Sequence, residues 1–360
     1  MRVVIAAGGT GGHVYPAIAY AKEFQQRDPG GNILFVGTGK SLEGDILQKE
    51  GFGFEPLKAE GIVGRSIFRM IRSLVLLPMS VWRAIRILRD HHTDLAIGTG
   101  GYVSPPVIIA AWLLHIPRAL LEPNAMPGLA NRVMGPLADR VFLACDSAMS
   151  FFTSSKVKVI GTPIRKAFLL ENPPSPPNKI SHLLIFGGSQ GARAINSAML
   201  EAMEYSGKLR EYVTITHQTG ADDFEHVKAG YERLGIVADV RPFLFDMPLE
   251  LAKADLIVCR AGASTLAEIS ACGKVGILIP FPHATHNHQE VNARAMEAAG
   301  AARVLLQSNL TGQRLAEEIE HCMSDISLLQ EMARRSWALR KVHATEQMVQ
   351  ECFSLVSHRV

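Results

Sequence analysis

Residues 3–13, Val3-Val4-Ile5-Ala6-Ala7-Gly8-Gly9-Thr10-Gly11-Gly12-His13, lead into Pro16-Ala17-Ile18-Ala19-Tyr20-Ala21 and read as a buried strand, a glycine turn and a helix. Half a chain later the plan recurs: Leu183-Leu184-Ile185-Phe186, then Gly187-Gly188-Ser189-Gln190-Gly191-Ala192-Arg193, then the helix-prone Ala194-Ile195-Asn196-Ser197-Ala198-Met199-Leu200. Strand, glycine turn and helix together aim backbone N–H groups at an anion. The chain therefore presents two phosphate-facing halves.

Outward from these loops, short apolar runs alternate with helix-length intervals. Strands are expected at 33–36, 95–97, 118–121, 140–143 and 157–160, then at 183–186, 213–216, 239–242, 256–259, 275–279 and 303–305. This alternation specifies an α/β protein built on parallel sheets. A length of 360 residues, 48% of them hydrophobic, suits two domains of about 150–200 residues. Boundaries are expected at 1–161, joined by a C-terminal helix 345–360, and at 162–344. The extended segment Glu171-Asn172-Pro173-Pro174-Ser175-Pro176-Pro177-Asn178 reads as the linker.

Composition excludes several classes. A net charge of +3 argues against a dedicated nucleic-acid binder. The cysteines Cys145, Cys259, Cys272, Cys322 and Cys352 are scattered and odd in number, which indicates a reducing compartment and neither a disulfide framework nor a zinc site. The amino-terminal apolar run is too short for a signal-peptide core, and no run reaches the roughly 20 residues of a membrane span. A soluble or peripheral protein is expected. Charge is unevenly spread: residues 62–90 carry six arginines and one acid, so this stretch is +5 and the remainder −2.

The glycine loops do not fit the dinucleotide fingerprint G-x-G-x-x-G. Counted from Gly9 the sixth position is Val14, and from Gly98 it is Val103. The Lys-Ser/Thr ending of a P-loop is also missing. Two rival chemistries remain open at this point. Gly187-Gly188-Ser189-Gln190-Gly191 matches the G-x-S-x-G nucleophile elbow of serine hydrolases, with Ser189 as nucleophile. His283, His286 and His288 offer imidazoles at a spacing that a metal could use, although no acidic or cysteine partner stands at ligand spacing; a ligand-binding loop without metal is preferred.

Seven ordered blocks then carry a family resemblance: GGTGGHVYPAIA (8–19), GTGGYVSPP (98–106), LLEPNAMPGLANR (120–132), VIGTPIR (159–165), IFGGSQGAR (185–193), CRAGASTLAEI (259–269) and PFPHATHNHQEVNAR (280–294). Together they resemble the MurG glycosyltransferases of bacterial peptidoglycan synthesis over nearly the whole chain. The resemblance implies a GT-B fold, two Rossmann-like domains facing each other across a deep cleft. It implies an inverting transfer of N-acetylglucosamine (GlcNAc) from UDP-GlcNAc to the 4-hydroxyl of the muramoyl sugar in undecaprenyl-linked lipid I, giving lipid II. No cofactor and no metal are expected. A UDP-sugar epimerase of the same fold and a non-catalytic sugar-nucleotide sensor are the alternatives.

Such a site must stabilise a diphosphate leaving group with dipoles and cations. Ser189 can bond phosphate, Arg165 can supply positive charge, and a helix beginning near Ala263, Ser264 and Thr265, continuing through Leu266 and Ala267, can aim its N-terminus at the diphosphate. By resemblance Glu268 would hold the ribose hydroxyls, backbone near Leu244 would read uracil, and His288 and Gln289 would grip the sugar; relatives often carry Gln-Gln at that pair. Asn124 resembles the first-domain contact to the sugar. Inversion needs a base for the acceptor hydroxyl. His13 is the candidate and Glu122 the second choice, while Thr10, Gly11 and Gly12 join His13 in cradling substrate phosphate.

The arginine-rich stretch also fits a membrane-borne acceptor. Phe68, Ile71, Val75 and Trp82 recur at helical spacing around Pro78, interleaved with Arg69, Arg72 and Arg86. Basic amphipathic helices with an aromatic anchor lie on anionic membrane surfaces. The cytoplasmic face of the bacterial cell membrane is the expected location, with other cell-wall synthesis proteins as further partners. An ordinary surface helix with a solvated basic face is the competing interpretation.

Overall fold

The computed structural model describes residues 1–8, 11–39, 41–58, 67–175 and 178–357, with side chains throughout except at 11, 41, 42 and 67–75. The chain forms two compact units, Met1–Lys166 with Lys341–Val360, and Ala167–Arg340.

The first unit is built on a seven-stranded parallel sheet: β1 (Arg2–Ala6), β2 (Asn32–Gly37), β3 (Gly53–Pro56), β4 (Leu95–Gly98), β5 (Arg118–Glu122), β6 (Arg140–Leu143) and β7 (Val157–Val159), in the order β3-β2-β1-β4-β5-β6-β7. β1 is central, with Val3 in register with both Ile33 and Leu95. Apolar side chains cover both of its faces, which is why Val3, Val4, Ile5 and Ala6 form an uninterrupted apolar run rather than an alternating one.

The second unit carries β8 (His182–Phe186), β9 (Thr214–Gln218), β10 (Ala238–Arg241), β11 (Leu256–Cys259), β12 (Gly276–Leu278) and β13 (Ala302–Val304), in the order β10-β9-β8-β11-β12-β13 and again all parallel. The strand order reverses beside β1 in one sheet and beside β8 in the other. Open parallel sheets bind ligands outside the carboxyl ends of the strands at such a reversal. Gly8 and the helix opening at Gly11 lie at the first reversal, and the Gly187–Gly191 loop at the second.

β3 was not anticipated. Gly53-Phe54-Glu55-Pro56 opens with a glycine, closes with a proline and lies at the sheet edge, so it lacks the apolar run of a central strand. The helix Ala344–Ser357 belongs to the first unit, where Met348, Val349 and Cys352 enter the core and the Phe353 ring stacks on Phe24 at 5.5 Å. The unit division falls at Lys166/Ala167. Described residues of the proline-rich segment lie in the second unit, with Pro174 so close to Gly273 that a Cβ there would sit 3.1 Å from its ring.

Candidate active site

In the first unit, the chain leaves β1 through Gly8 into the helix Gly11–Arg27, and leaves β4 through Thr99-Gly100-Gly101 towards the helix Ser104–Leu113. Gly100 and Gly101 have φ of +98° and +72°. A Cβ on Gly101 would stand 2.7 Å from the Gly8 carbonyl oxygen, and one on Gly100 2.9 Å from His13 Cε1. Only glycine lets the two loops approach so closely with the imidazole against them. Ser104, wholly buried, fastens the second loop by donating to the Gly100 carbonyl at 2.7 Å and accepting from the Gly100 amide at 3.0 Å.

The half-buried His13 places Nδ1 2.6 Å from the Thr99 carbonyl oxygen. A carbonyl can only accept, so Nδ1 carries the hydrogen and the lone pair of the neutral ring resides on Nε2. This is the tautomer a base needs. Thr10 lies outside the described residues, while Gly11 and Gly12 open the helix that carries His13.

The structure gives Glu122 a different task from that of a second base. It ends β5, is 1% exposed, and accepts four hydrogen bonds of 2.9 Å each: Oε1 from the Asn124 amide and Asn124 Nδ2, Oε2 from the Gly128 amide and Asn131 Nδ2. Taking a proton would break bonds that hold the turn together. Through these bonds Glu122 holds the backbone and side chain of Asn124 in the turn. Asn131 escaped sequence reading because a polar residue within Leu129-Ala130-Asn131-Arg132 looks solvated, yet it is buried with Nδ2 also donating to the Leu121 carbonyl at 3.0 Å. Arg165, expected in the second domain, belongs to the first unit and stacks its guanidinium on Tyr15 at 4.5 Å.

In the second unit, the loop after β8 turns at Gly188 and Gly191, with φ of +88° and +75°. A Cβ on Gly191 would overlap the Thr219 carbonyl, and one on Gly220 would overlap the Gln190 carbonyl, so two loops interlock backbone to backbone. Gly191→Ala is expected to cost about 1–3 kcal/mol, read as a lower denaturant midpoint for the second unit. Ser189 sits half-buried within this loop, and the following helix begins only at Arg193 after Ala192. An elbow nucleophile stands on a strained residue leading straight into the helix. Ser189 has no positive φ and no such junction, so the hydrolase reading falls.

After β11 the chain passes Arg260-Ala261-Gly262 into the helix Ala263–Ala271, whose N-cap Gly262 offers no capping side chain. The amides of Ala263, Ser264 and Thr265 thus head the helix at the switch point, a ready anion site. Leu266 is buried, and Ala267 and the carboxylate-bearing Glu268 are half-buried in the next turn. Leu244 is buried beside Phe243 and Phe245, whose rings meet edge to face at 4.8 Å. Arg260, not singled out by sequence, donates to the Ile279 and Pro280 carbonyls at 3.0 and 3.1 Å and to Gln307 Oε1 at 2.6 Å; burial pulls its pKa down to about 10. Its signal was an arginine directly following an apolar strand. Arg260 secures the loop that carries the histidines and Gln289.

In that loop, Gln289 Oε1 accepts from the Phe281 amide at 3.0 Å, and His288 Nδ1 donates to the Thr285 carbonyl at 2.8 Å. His286 and Asn287 are both left-handed, with φ of +53° and +55°, a strained pair of the kind kept at ligand sites. His283 packs edge to face with Phe281. Among the described residues, no three His, Cys, Asp or Glu groups converge as a metal-ligand set.

The basic segment forms one helix, Ile67–Asp90, running through Pro78. The expected contacts Phe68, Arg69, Ile71, Arg72 and Val75 lie among residues whose side chains are outside the description. Further along, Ser80, Ala84, Ile87 and Leu88 face inward, so most apolar positions there serve the core. Trp82 and Met79 remain 60% and 67% exposed, and Arg86 stacks on Trp82 at 4.8 Å. The neighbouring helix Ser104–Leu113 adds Trp112 and Leu113, also exposed, which sequence reading missed because no charge flanks them.

The N-terminal domain of glycosyltransferase family 28 matches residues 3–143, and the C-terminal domain of that family matches residues 182–349. A protein of Anaeromyxobacter sp. (strain Fw109-5), named UDP-N-acetylglucosamine--N-acetylmuramyl-(pentapeptide) pyrophosphoryl-undecaprenol N-acetylglucosamine transferase, is 44% identical across 100% of this chain and 94% of its own length. The crystal structure of Acinetobacter baumannii MurG superposes with a TM-score of 0.75 at 30% identity, covering 98% of this chain and 100% of that one. UDP-GlcNAc 2-epimerase from Neisseria meningitidis superposes at 0.64 with 13% identity over 97% and 99% of the two chains, which shows a shared fold alone. The two parallel sheets are those of the GT-B architecture. By domains matched in order along the chain and by a full-length relative at 44% identity, the chain belongs to glycosyltransferase family 28, among its pyrophosphoryl-undecaprenol N-acetylglucosamine transferases.

Proposed function

We infer that this protein is an inverting N-acetylglucosaminyltransferase that moves GlcNAc from UDP-GlcNAc to the 4-hydroxyl of the N-acetylmuramoyl sugar of undecaprenyl-linked lipid I, forming lipid II. The observation that carries this is full-length kinship with enzymes of that name, in a chain with a glycine loop at the switch point of each sheet. Ser189 and the amides heading the helix Ala263–Ala271 receive the UDP diphosphate, where negative charge grows as the glycosidic bond breaks. Glu268 takes the ribose hydroxyls, backbone at Leu244 takes uracil, and Gln289 with His288 takes the sugar. His13 Nε2 accepts the proton of the attacking hydroxyl, Asn124 contacts the sugar, and Arg165 supplies positive charge.

Incubation with radiolabelled UDP-GlcNAc and a lipid I analogue tests the reading. Labelled disaccharide lipid is expected. Epimerised UDP-sugar, or bound donor without transfer, would replace it with one of the alternatives.

The protein docks on an anionic membrane surface, on the cytoplasmic face, through the exposed Trp82 and Met79 with Arg86 stacked on Trp82. No described helix is long and apolar enough to cross a membrane. An arginine near such a surface contributes about 1 kcal/mol, and reversing its charge adds repulsion, so Arg86→Glu combined with Trp82→Ala is expected to weaken vesicle binding about tenfold or more. Co-sedimentation with vesicles containing anionic lipid measures it. Equal sedimentation of variant and parent sinks the docking proposal.

A further inference from the structure

The carboxyl half of β9 and its exit carry a run of polar side chains, Thr216, His217, Gln218 and Thr219, each no more than 2% exposed. The transfer chemistry above uses none of them. His217 lies 3.0 Å through Nε2 from Asn196 Oδ1 and 2.9 Å through Nδ1 from the Tyr231 hydroxyl. Asn196 Nδ2 donates to Asp223 Oδ2 at 2.7 Å and to the Thr219 carbonyl at 3.0 Å. Both hydrogens of that amide are therefore spent, and Asn196 Oδ1 must accept. It follows that His217 donates from Nε2 and accepts from Tyr231 at Nδ1. Burial pulls the pKa of His217 down to about 3, so the ring stays neutral and this one arrangement of hydrogens persists.

The receiving end of this chain is the backbone on which the glycine loop rests. The Thr219 carbonyl is the atom a Cβ on Gly191 would overlap, and the Gln190 carbonyl closes on Gly220 in return. Asn196 stands in the first turn of the helix Arg193–Tyr205 that follows the loop, with its own amide bonded to the Ala192 carbonyl at 3.0 Å. One amide side chain thus ties the far end of the loop to the β9 exit against which the loop packs. Val, Ile or Leu at position 217 would fill the same core without supplying that tie.

We propose that His217 is a positioning residue for nucleoside-diphosphate binding: it fixes the orientation of Asn196, which holds the Gly187–Gly191 loop in the shape that receives the diphosphate. The proposal rests on the assignment of the UDP diphosphate to the Ser189 loop. Preforming the loop removes an ordering cost from binding, so the effect appears in donor affinity.

The test uses the full-length protein, UDP as calorimetric probe, and separate KM values for donor and acceptor. His217→Leu cannot donate to Asn196 and is expected to weaken UDP binding about 10- to 100-fold, the cost of a small misplacement of binding groups, with donor KM rising and acceptor KM unchanged. His217→Gln, whose amide can both donate to Asn196 and accept from Tyr231, restores affinity. Val227→Ala opens a cavity in the same core; it lowers thermal stability and leaves UDP affinity as it was. If His217→Leu folds too poorly to assay, Tyr231→Phe removes the outer donor and gives a smaller loss in the same direction. Parental UDP affinity in the Leu variant, or in Tyr231→Phe where it stands in, overturns the proposal, as does an equal affinity loss in Val227→Ala. Ser189→Ala separates the two levels: weakened UDP binding there with none at His217 removes the positioning role alone, whereas no change at Ser189 removes the loop assignment beneath it.

Discussion

His13→Ala is expected to lower kcat by about 10²- to 10⁴-fold, the contribution of a positioned general base. Nδ1 is committed to the Thr99 carbonyl at 2.6 Å, so the ring cannot rotate its protonated nitrogen towards substrate without losing that bond. His13→Gln is the sharper variant. Its amide can still donate to Thr99, so the loops stay joined, but it has no basic lone pair. If His13 only binds phosphate, His13→Gln keeps most of its turnover; if it takes the proton, kcat falls as far as in His13→Ala. Undiminished turnover in His13→Ala removes it as base.

Glu122→Ala has the largest expected effect on stability. Four donors converge on this carboxylate, and deleting it takes the acceptor from the Asn124 and Gly128 amides, from Asn124 Nδ2 and from one of the two Asn131 Nδ2 hydrogens, the other still reaching the Leu121 carbonyl. A buried donor costs about 1–3 kcal/mol when unmet, and with Asn124 and Gly128 half-buried, where water can reach them, the expected loss is about 3 kcal/mol. Denaturant unfolding of the full chain measures this. Glu122→Gln should fall between parent and Ala, because it keeps one acceptor oxygen and turns an amide nitrogen towards groups that are themselves donors. A parental unfolding midpoint in Glu122→Gln with a collapsed kcat would instead restore the role of base.

How far these features could be read beforehand follows from how local their causes are. β1 and β8 were legible because central parallel strands are apolar on both faces, and the glycine loops because close approach demands glycine in the sequence itself. Gly53–Pro56 was not, since an edge strand needs no apolar run. The same boundary divides the site. His13 stands out in the sequence by ending a glycine loop, whereas Asn131, His217 and Arg260 are held by partners from 9 to 47 residues away. For Glu122 the sequence shows a carboxylate and not the four donors around it, which the fold brings from Asn124, Gly128 and Asn131. In the helix Ile67–Asp90 the apolar Leu88 is buried and the apolar Trp82 exposed. Only packing distinguishes the inward residue from the outward one.

The return of the helix Ala344–Ser357 to the first unit makes the second unit an insertion within the first. During synthesis, residues 167–340 emerge as one uninterrupted piece with every strand of their sheet in hand. The first unit has its seven strands long before that, yet Tyr20, Phe24 and Ile160 wait for Met348, Val349 and Phe353 to cover them. The unit made first along these residues is therefore the one whose core is completed last. A nascent chain halted before residue 344 leaves Phe24 without the Phe353 ring that stacks on it, so this core is completed only after residues 167–340 have been made.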